Sequence, residues 1–403
     1  MSEFELYVHI PFCVKKCDYC DFCSGVYDSK IKEKYTEKLC EEIKSKSSRY
    51  SGKVTSVYIG GGTPSSLELP LMERILGTIT DCFWIPDDAE YTIEINPGTV
   101  TAEAAREYKW LGVNRASIGL QSANDEELRA MGRIHTYKEF LEAYENVRRS
   151  GISNVNVDIM TGLPGQKKDK LMATLREIFM IRPEHVSAYS LMIEPGTPFY
   201  EKYGKDAQRQ AKGLKTNFLP SDDEVYELMK LAEREMGDHG YNRYEISNYA
   251  EGNHFCRHNV GYWRRKAYIG VGLGASSFMT KDLLEESLKM EIDGFYEERI
   301  DNTVSMEDYL DGTIAASSRI LTREDAMAEF MYLGLRMTEG VYASEFYEKF
   351  GVGIEHVYGR QFDELSEKGL LVNDEGRICL TDQGMDLSNR VLCEFLLDNE
   401  GGN

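Results

Sequence analysis

Cys13, Cys17 and Cys20 stand in a C-x3-C-x2-C spacing directly after a short apolar run, Leu6 to Ile10. Thiolates are soft ligands, and three at this spacing can hold three irons of a cubane 4Fe-4S cluster while the fourth iron stays open. An open iron can chelate the amino and carboxylate groups of S-adenosylmethionine (SAM). An electron from the reduced cluster then cleaves a carbon–sulfur bond and releases a 5′-deoxyadenosyl radical. The same spacing also fits a tetrahedral zinc site on Cys13, Cys17, Cys20 and Cys23, or one with His9 replacing a thiolate. The cluster is preferred, because a strand precedes the motif and strand–helix units follow it. Cys23 is then read as a free thiol beside the cluster, although its spacing also permits it to ligate the fourth iron.

Such a loop needs a scaffold to hold it. From Leu6 to about Phe199 the chain alternates short apolar runs with longer amphipathic stretches, the pattern of strand–helix units around a parallel sheet. Six strands are expected, at Leu6–Ile10, Val54–Ile59, Tyr91–Ile95, Arg115–Gly119, Asn154–Ile159 and His185–Ile193. Between them Ile31–Lys46, Thr101–Trp110, Tyr137–Arg149 and Leu171–Ile181 carry helical apolar faces. Six units fall short of the eight that close a full barrel, so the spacing predicts an open, partial (β/α)6 barrel over residues 1–220. Residues 221–300 extend it, with a helix near Asp222–Asp238, a strand at Arg243–Ile246 and a Gly-rich turn at Gly270–Gly274. Residues 301–403 form a separate module, in which helices at Ala326–Met337, Ala343–Phe350 and Ile354–Lys368, then a hairpin around Asp374–Gly376, describe a winged helix.

Composition excludes several functions. The 403 residues carry 47 basic against 68 acidic side chains, a net charge of −21 that repels phosphate backbones and anionic lipid. Even in the winged helix, Ile354–Lys368 holds four acids against two bases, so it reads as a packing or partner module. No run of eighteen apolar residues occurs and the N-terminus lacks signal-peptide character, so a cytoplasmic protein without stable membrane insertion is expected. Nine cysteines crowded toward the N-terminus suit metal ligands and buried thiols better than disulfides, and Cys40, Cys82, Cys379 and Cys393 read as small buried hydrophobes. The run Gly270-Val-Gly-Leu-Gly-Ala275 fits a dinucleotide fingerprint, but no helical pattern follows it, so that reading is rejected.

Further motifs lie at strand ends in a fixed order. Tyr7-Val-His-Ile-Pro-Phe-Cys13 leads into Cys17 and Tyr19–Phe22; Gly60–Pro64, Glu94–Pro97, Ser117–Ser122, Gly132–His135, Asn156–Pro164 and Ile193–Thr197 follow. With the C-terminal module, this series resembles the oxygen-independent coproporphyrinogen III oxidase family of radical SAM proteins along nearly the whole chain. The resemblance implies that Tyr7, Gly61, Gly62, Thr63, Glu94, Gln121, Arg133 and Asp158 bind SAM, and that Tyr19 lies against the cluster or the adenine. The residue types are suited to that ligand, since glycines let backbone approach the methionine, carboxylates accept from ammonium or ribose groups, and Arg133 can meet the carboxylate.

Two departures separate the chain from the oxidases themselves. Only twelve residues precede Cys13, where the oxidases carry a longer region, and Phe22 stands where they have another cysteine. Asp21-Phe22 and the short N-terminus are similar instead to the HemW-type branch of haem chaperones, as is His258-Asn-Val-Gly-Tyr262-Trp263, which matches its HNxxYW signature. His258 can ligate iron through imidazole, Cys256 through its thiolate, and Tyr262 and Trp263 can stack on a porphyrin. Taken without the family, a His and two aromatics in six residues are more often packing, and His254 and His258 flanking Cys256 could also serve another metal. The resemblance implies bound haem as cargo, a haem-acceptor protein, and a reductant such as flavodoxin or ferredoxin. The alternatives are a coproporphyrinogen III oxidase making protoporphyrinogen IX and a radical SAM methyltransferase, for which no second methyl-binding site is legible.

Overall fold

The computed structural model describes residues 2–50, 52–284 and 294–397; part of the charged stretch around Lys281–Asp301 therefore lies outside the described residues. Six strands run parallel in chain order: β1 (Glu3–Ile10), β2 (Lys53–Gly61), β3 (Glu90–Ile95), β4 (Arg115–Gln121), β5 (Asn154–Thr161) and β6 (His185–Ser190). Their interiors, such as Val155–Val157–Ile159 and Phe4–Leu6–Val8, are almost fully buried, as strands covered on both faces must be. Helices α1 (Ser29–Arg49), α2 (Leu69–Cys82), α3 (Ala102–Trp110), α4 (Asp125–Ala130), α5 (Tyr137–Arg149) and α6 (Lys168–Ile181) supply the outer layer. Starts are locally encoded: Thr136 and Glu139 close a capping box on α5, and Thr101 caps α3. The partial (β/α)6 barrel expected from the alternation is thus present.

The sheet is larger than that alternation implies. β6 is followed by α7 (Pro198–Gln210), α8 (Asp222–Asp238), the antiparallel edge strands β7 (Tyr241–Arg243) and β8 (Asn248–Glu251), and the short helix α9 (Arg257–Trp263). β9 (Tyr268–Val271) returns beside β1 as a seventh parallel strand, and β10 (Ser276–Thr280), β11 (Glu297–Asn302) and β12 (Ala315–Ile320) complete a twelve-stranded sheet. Residues 301–320, assigned above to the C-terminal module, therefore belong to the large sheet; short polar strands such as β12 carry no apolar alternation to reveal them. The strand expected at Arg243–Ile246 is instead the turn between β7 and β8, where the Arg243 guanidinium donates to the carbonyls of Glu245 and Ile246. β6 stops at Ser190, short of Ile193, before the chain reaches Pro195.

The Gly-rich run after β9 packs rather than binds phosphate. A Cβ on Gly272 would stand 2.6 Å from the His9 carbonyl, and one on Gly270 would meet the Ser276 carbonyl. β10 follows, not a helix.

A second core, from Ala326 to Phe395, gathers helices Arg323–Gly334, Ala343–Phe350 and Ile354–Glu367 with a three-stranded sheet of β13 (Val341–Tyr342), β14 (Leu371–Asp374) and β15 (Arg377–Leu380). This is the winged-helix arrangement. It is pinned to the barrel by Arg265, 5% exposed, which bonds Glu297 of β11 and Glu329 of Arg323–Gly334. Of the four isolated cysteines only Cys40 is buried; Cys82 and Cys379 are half-buried, and Cys393 is exposed because its helix turns Val391 and Leu392 inward instead. Among the described residues no helix is long and apolar enough to cross a membrane.

Candidate cofactor site at the strand ends

The loop after β1 carries the three cysteines back over the carboxyl ends of the strands. Cys13 is tied down by its N–H bond to the Gly25 carbonyl at 2.9 Å, and Asp18 N–H donates to the Met131 carbonyl at 3.0 Å. A Cβ at Gly132, φ +72°, would collide with Asp18 at 2.5 Å, so the Gly132–Arg133 turn and the cysteine loop fit only with glycine there. Arg133 extends from that turn, donating to Asn96 Oδ1 and the Gly119 carbonyl, each at 2.5 Å, and to Cys17 Sγ at 3.6 Å. Its Nε is buried without a partner.

β2 ends in the glycine turn. Gly61 has φ +118°, and a Cβ there would stand 2.6 Å from the His9 ring; one on Gly62 would stand 2.9 Å from the Phe12 carbonyl. A side chain at Gly62 would push the cysteine loop off the sheet, and one at Gly61 would press on the His9 ring. The Gly61 N–H instead donates to Glu94 Oε2 at 3.0 Å, and Tyr58 donates to Oε1 at 2.9 Å. Burial raises the Glu94 carboxyl to about 7, against those two bonds. Asp158 is likewise raised by burial, with Asn156 and Ser117 donating to it. A register shift in β4 turns Gln121 to φ +69°, a non-glycine in the left-handed region, and aims it into the same space.

These groups enclose one pocket. Its wall contains Cys13, Cys17, Tyr19, Cys20, Gly61, Gly62, Thr63, Glu94, Gln121, Arg133 and Asp158, and adds Asn96 and Ser117, which the sequence motifs contained without marking them as ligands. Tyr7 is the exception among the expected SAM residues: it lies below, bonding His9 Nδ1 at 2.9 Å and stacking on Tyr58. His9 is occupied too, its other nitrogen meeting the Cys23 carbonyl at 2.8 Å. Among the described residues no three His, Cys, Asp or Glu side chains converge on a single-ion site. A cubane asks for something else, thiolates spread around several irons with an open side. The three cysteines, the orphaned Arg133 Nε and the glycine cradle supply that donor set and the room beside it for an amino acid ligand.

The HNxxYW segment sits at the other end of the strands. It forms α9, whose first N–H groups, on Arg257 and His258, donate to Glu90 at the start of β3. His258 is 1% exposed, and both ring nitrogens are engaged, Nδ1 with Ser56 at 2.8 Å and Nε2 with Tyr262 at 3.0 Å. Burial pushes its pKa down to about 3. Trp263 packs under Arg336 of the C-terminal module, 4.2 Å from guanidinium carbon to ring centroid. Cys256 is buried against Glu90 and its thiol is pushed up to about 12. The structure thus brings His258, Tyr262 and Trp263 together as packing groups rather than presenting them as an open ligand set.

Residues 7–178 match the radical SAM superfamily and residues 321–387 the HemN C-terminal domain. The chain is 33% identical over 396 residues to heme chaperone HemW of Lactococcus lactis, covering 98% of this chain and 97% of that one. It is 33% identical to heme chaperone HemW of Escherichia coli, covering 99% of each. The fold is similar to the solved structure of coproporphyrinogen III oxidase from Escherichia coli, with a TM-score of 0.81 at 21% identity over 98% of this chain and 90% of that one.

Proposed function

Because this chain belongs to the HemW heme chaperone family of radical SAM proteins, we propose that it binds haem and delivers it to haem-requiring respiratory proteins, with a 4Fe-4S cluster on Cys13, Cys17 and Cys20 coordinating SAM. When bound, the reduced cluster supplies the electron that cleaves a carbon–sulfur bond of SAM. The protein's part is positional. Arg133 would hold the carboxylate of SAM, the Gly61–Gly62 backbone would leave room for its methionine, and Glu94 would accept from a donor group of the ligand.

The observation that carries the chaperone reading, rather than the oxidase, is the separation of two sites along the barrel. Glu5, which packs against α9, stands five residues before the end of β1 at Ile10, a distance of about 16 Å. On the outer side of α9 a cavity of about 570 Å³ exposes Phe255 and Val260 among Lys53, Arg257, Arg264 and Lys266, with Glu3, Glu5 and Asp88 also in its wall. That volume suits a drug-sized or larger ligand, typically about 300–1,000 Å³. Apolar contact with cations at the rim suits a flat dicarboxylate such as haem. A tetrapyrrole ring seated there stays outside the SAM pocket, so it is carried rather than turned over. His258 and Tyr262 lie beneath that seat; ligation of iron by His258 requires release of its bonds to Ser56 and Tyr262. The acceptor protein docks on the acidic C-terminal module, and a small reductant such as flavodoxin or ferredoxin approaches the cysteine loop.

Anaerobic reconstitution followed by haem and SAM tests the reading. One haem bound per chain, weakened by Arg264→Glu, with coproporphyrinogen III left unconverted, is expected. Formation of protoporphyrinogen IX would overturn it in favour of the oxidase.

A further inference from the structure

β4 begins with a buried charge that its neighbours leave unmatched. Arg115 is 2% exposed, and its Nε is fully enclosed without a partner. Among the described residues its guanidinium makes no hydrogen bond or ion pair. Glu90, Glu94 and Asp158 are within electrostatic range, yet none reaches the 4.0 Å of an ion pair. Glu90 is already taken, accepting from Cys256 Sγ and from the Arg257 and His258 N–H groups. A buried guanidinium is expensive unless something neutralises and bonds it.

What Arg115 faces is a cavity of about 280 Å³ inside the barrel. A network of other polar groups in its wall is satisfied internally. Asn156 donates to Ser117 at 2.8 Å and Asp158 at 2.7 Å, and its carbonyl oxygen meets His185 Nδ1 at 2.6 Å and Ser187 Oγ at 3.0 Å. Arg115 Nε is the one fully enclosed polar side-chain atom of that wall without a partner among the described residues. The cavity shares Tyr19, Phe22, Glu94, Ser117, Gln121 and Asp158 with the cofactor pocket, so the two spaces adjoin.

We propose that Arg115 anchors a second ligand site, for a carboxylate group, deep in the barrel and continuous with the SAM pocket. A guanidinium fork matches a carboxylate in bidentate geometry, and inside a protein that pairing is strong. The volume falls below the about 300–1,000 Å³ of ordinary ligand pockets, so the site takes a small acid or a single carboxylate arm, not a tetrapyrrole ring. Such a group would sit beside the SAM pocket wherever the haem cargo is held.

Titration calorimetry of the reconstituted, SAM-loaded protein with propionate and with its neutral isostere propionamide tests this on the unaltered chain. Propionate is expected to bind saturably, with propionamide at least about tenfold weaker. Arg115→Gln abolishes that preference and Arg115→Lys keeps part of it. Competition of propionate with haem, but not with haem dimethyl ester, identifies the ligand as a cargo arm; additive binding identifies a free small acid. Equal binding of propionate and propionamide, or no saturable propionate binding, would overturn the proposal.

Discussion

Tyr58 donates a 2.9 Å hydrogen bond to Glu94, and its ring stacks on His258 with centroids 5.1 Å apart. One side chain therefore joins the cofactor pocket to the helix that closes the barrel floor, and both of its neighbours have shifted acidities.

Glu94, raised to about 7 by burial, is largely protonated below neutrality in the free protein. Donor groups of SAM favour the carboxylate, so binding below pH 7 releases close to one proton, and affinity increases as pH rises through about 7. Calorimetry in buffers of different ionisation heat counts that proton. Tyr58→Phe removes a bond to the charged form and moves the midpoint up by about one unit. Proton release that persists in Glu94→Gln would show that another group is responsible.

His258 titrates near 6.5 when unfolded and is depressed to about 3 in the fold, by burial first and by the Arg115 charge second. Its contribution to stability is complete above about pH 6.5 and is lost as pH falls toward 3, with a slope of up to about 1.4 kcal/mol per pH unit. His258→Leu is expected to flatten that part of the stability profile while lowering stability at neutral pH, where Ser56 and Tyr262 lose their partner. Urea midpoints across the acid range check it; parallel profiles for the two proteins would refute it.

At Gly62 a Cβ would press on the Phe12 carbonyl at 2.9 Å and on Ser24 Cβ at 3.0 Å, displacing the cysteine loop. Gly62→Val should leave only a small fraction of the cluster after reconstitution, read as bound iron and sulfide. At Gly77, in the middle of α2, a Cβ meets nothing within 4 Å. Gly77→Ala should keep the cluster and add about 0.5–1 kcal/mol of stability.

Arg265 holds two buried carboxylates, Glu297 and Glu329, from different cores. Arg265→Leu leaves Glu297 to Lys349 and Glu329 to Arg299, so it should cost about 1.5–3 kcal/mol, less than the about 3–5 kcal/mol of a buried charge stripped of every partner. Faster amide exchange in helix Arg323–Gly334 than in β1–β3 would locate the loss at the junction; uniform acceleration would not.

Much of the site was legible in the chain because its signals are local. Three cysteines within eight residues, a glycine triplet ending a strand and a carboxylate ending the next are fixed by spacing and by the rule that barrel loops cluster at strand ends. Asn96 and Ser117 lay in those motifs and entered the wall through the same geometry. Tyr7 did not, since period-two alternation along β1 says only which face a side chain takes, not how deep in the barrel it stops. β11 and β12 were not legible because short polar strands carry no apolar period.

The amino-acid sequence by itself determined the strand–helix order, the placing of three cysteines on one loop and the glycines beneath that loop, all consequences of neighbours a few residues apart. The tertiary structure alone decided the fate of His258 and Arg115. The residue types at Cys256–Trp263 are competent for haem, but whether an imidazole nitrogen is free depends on Ser56, 202 residues away. Likewise a charge at the head of β4 becomes an orphan only once β5, β6 and α9 have closed around it and supplied it no acceptor, because a buried polar group is defined by partners that folding brings from elsewhere in the chain.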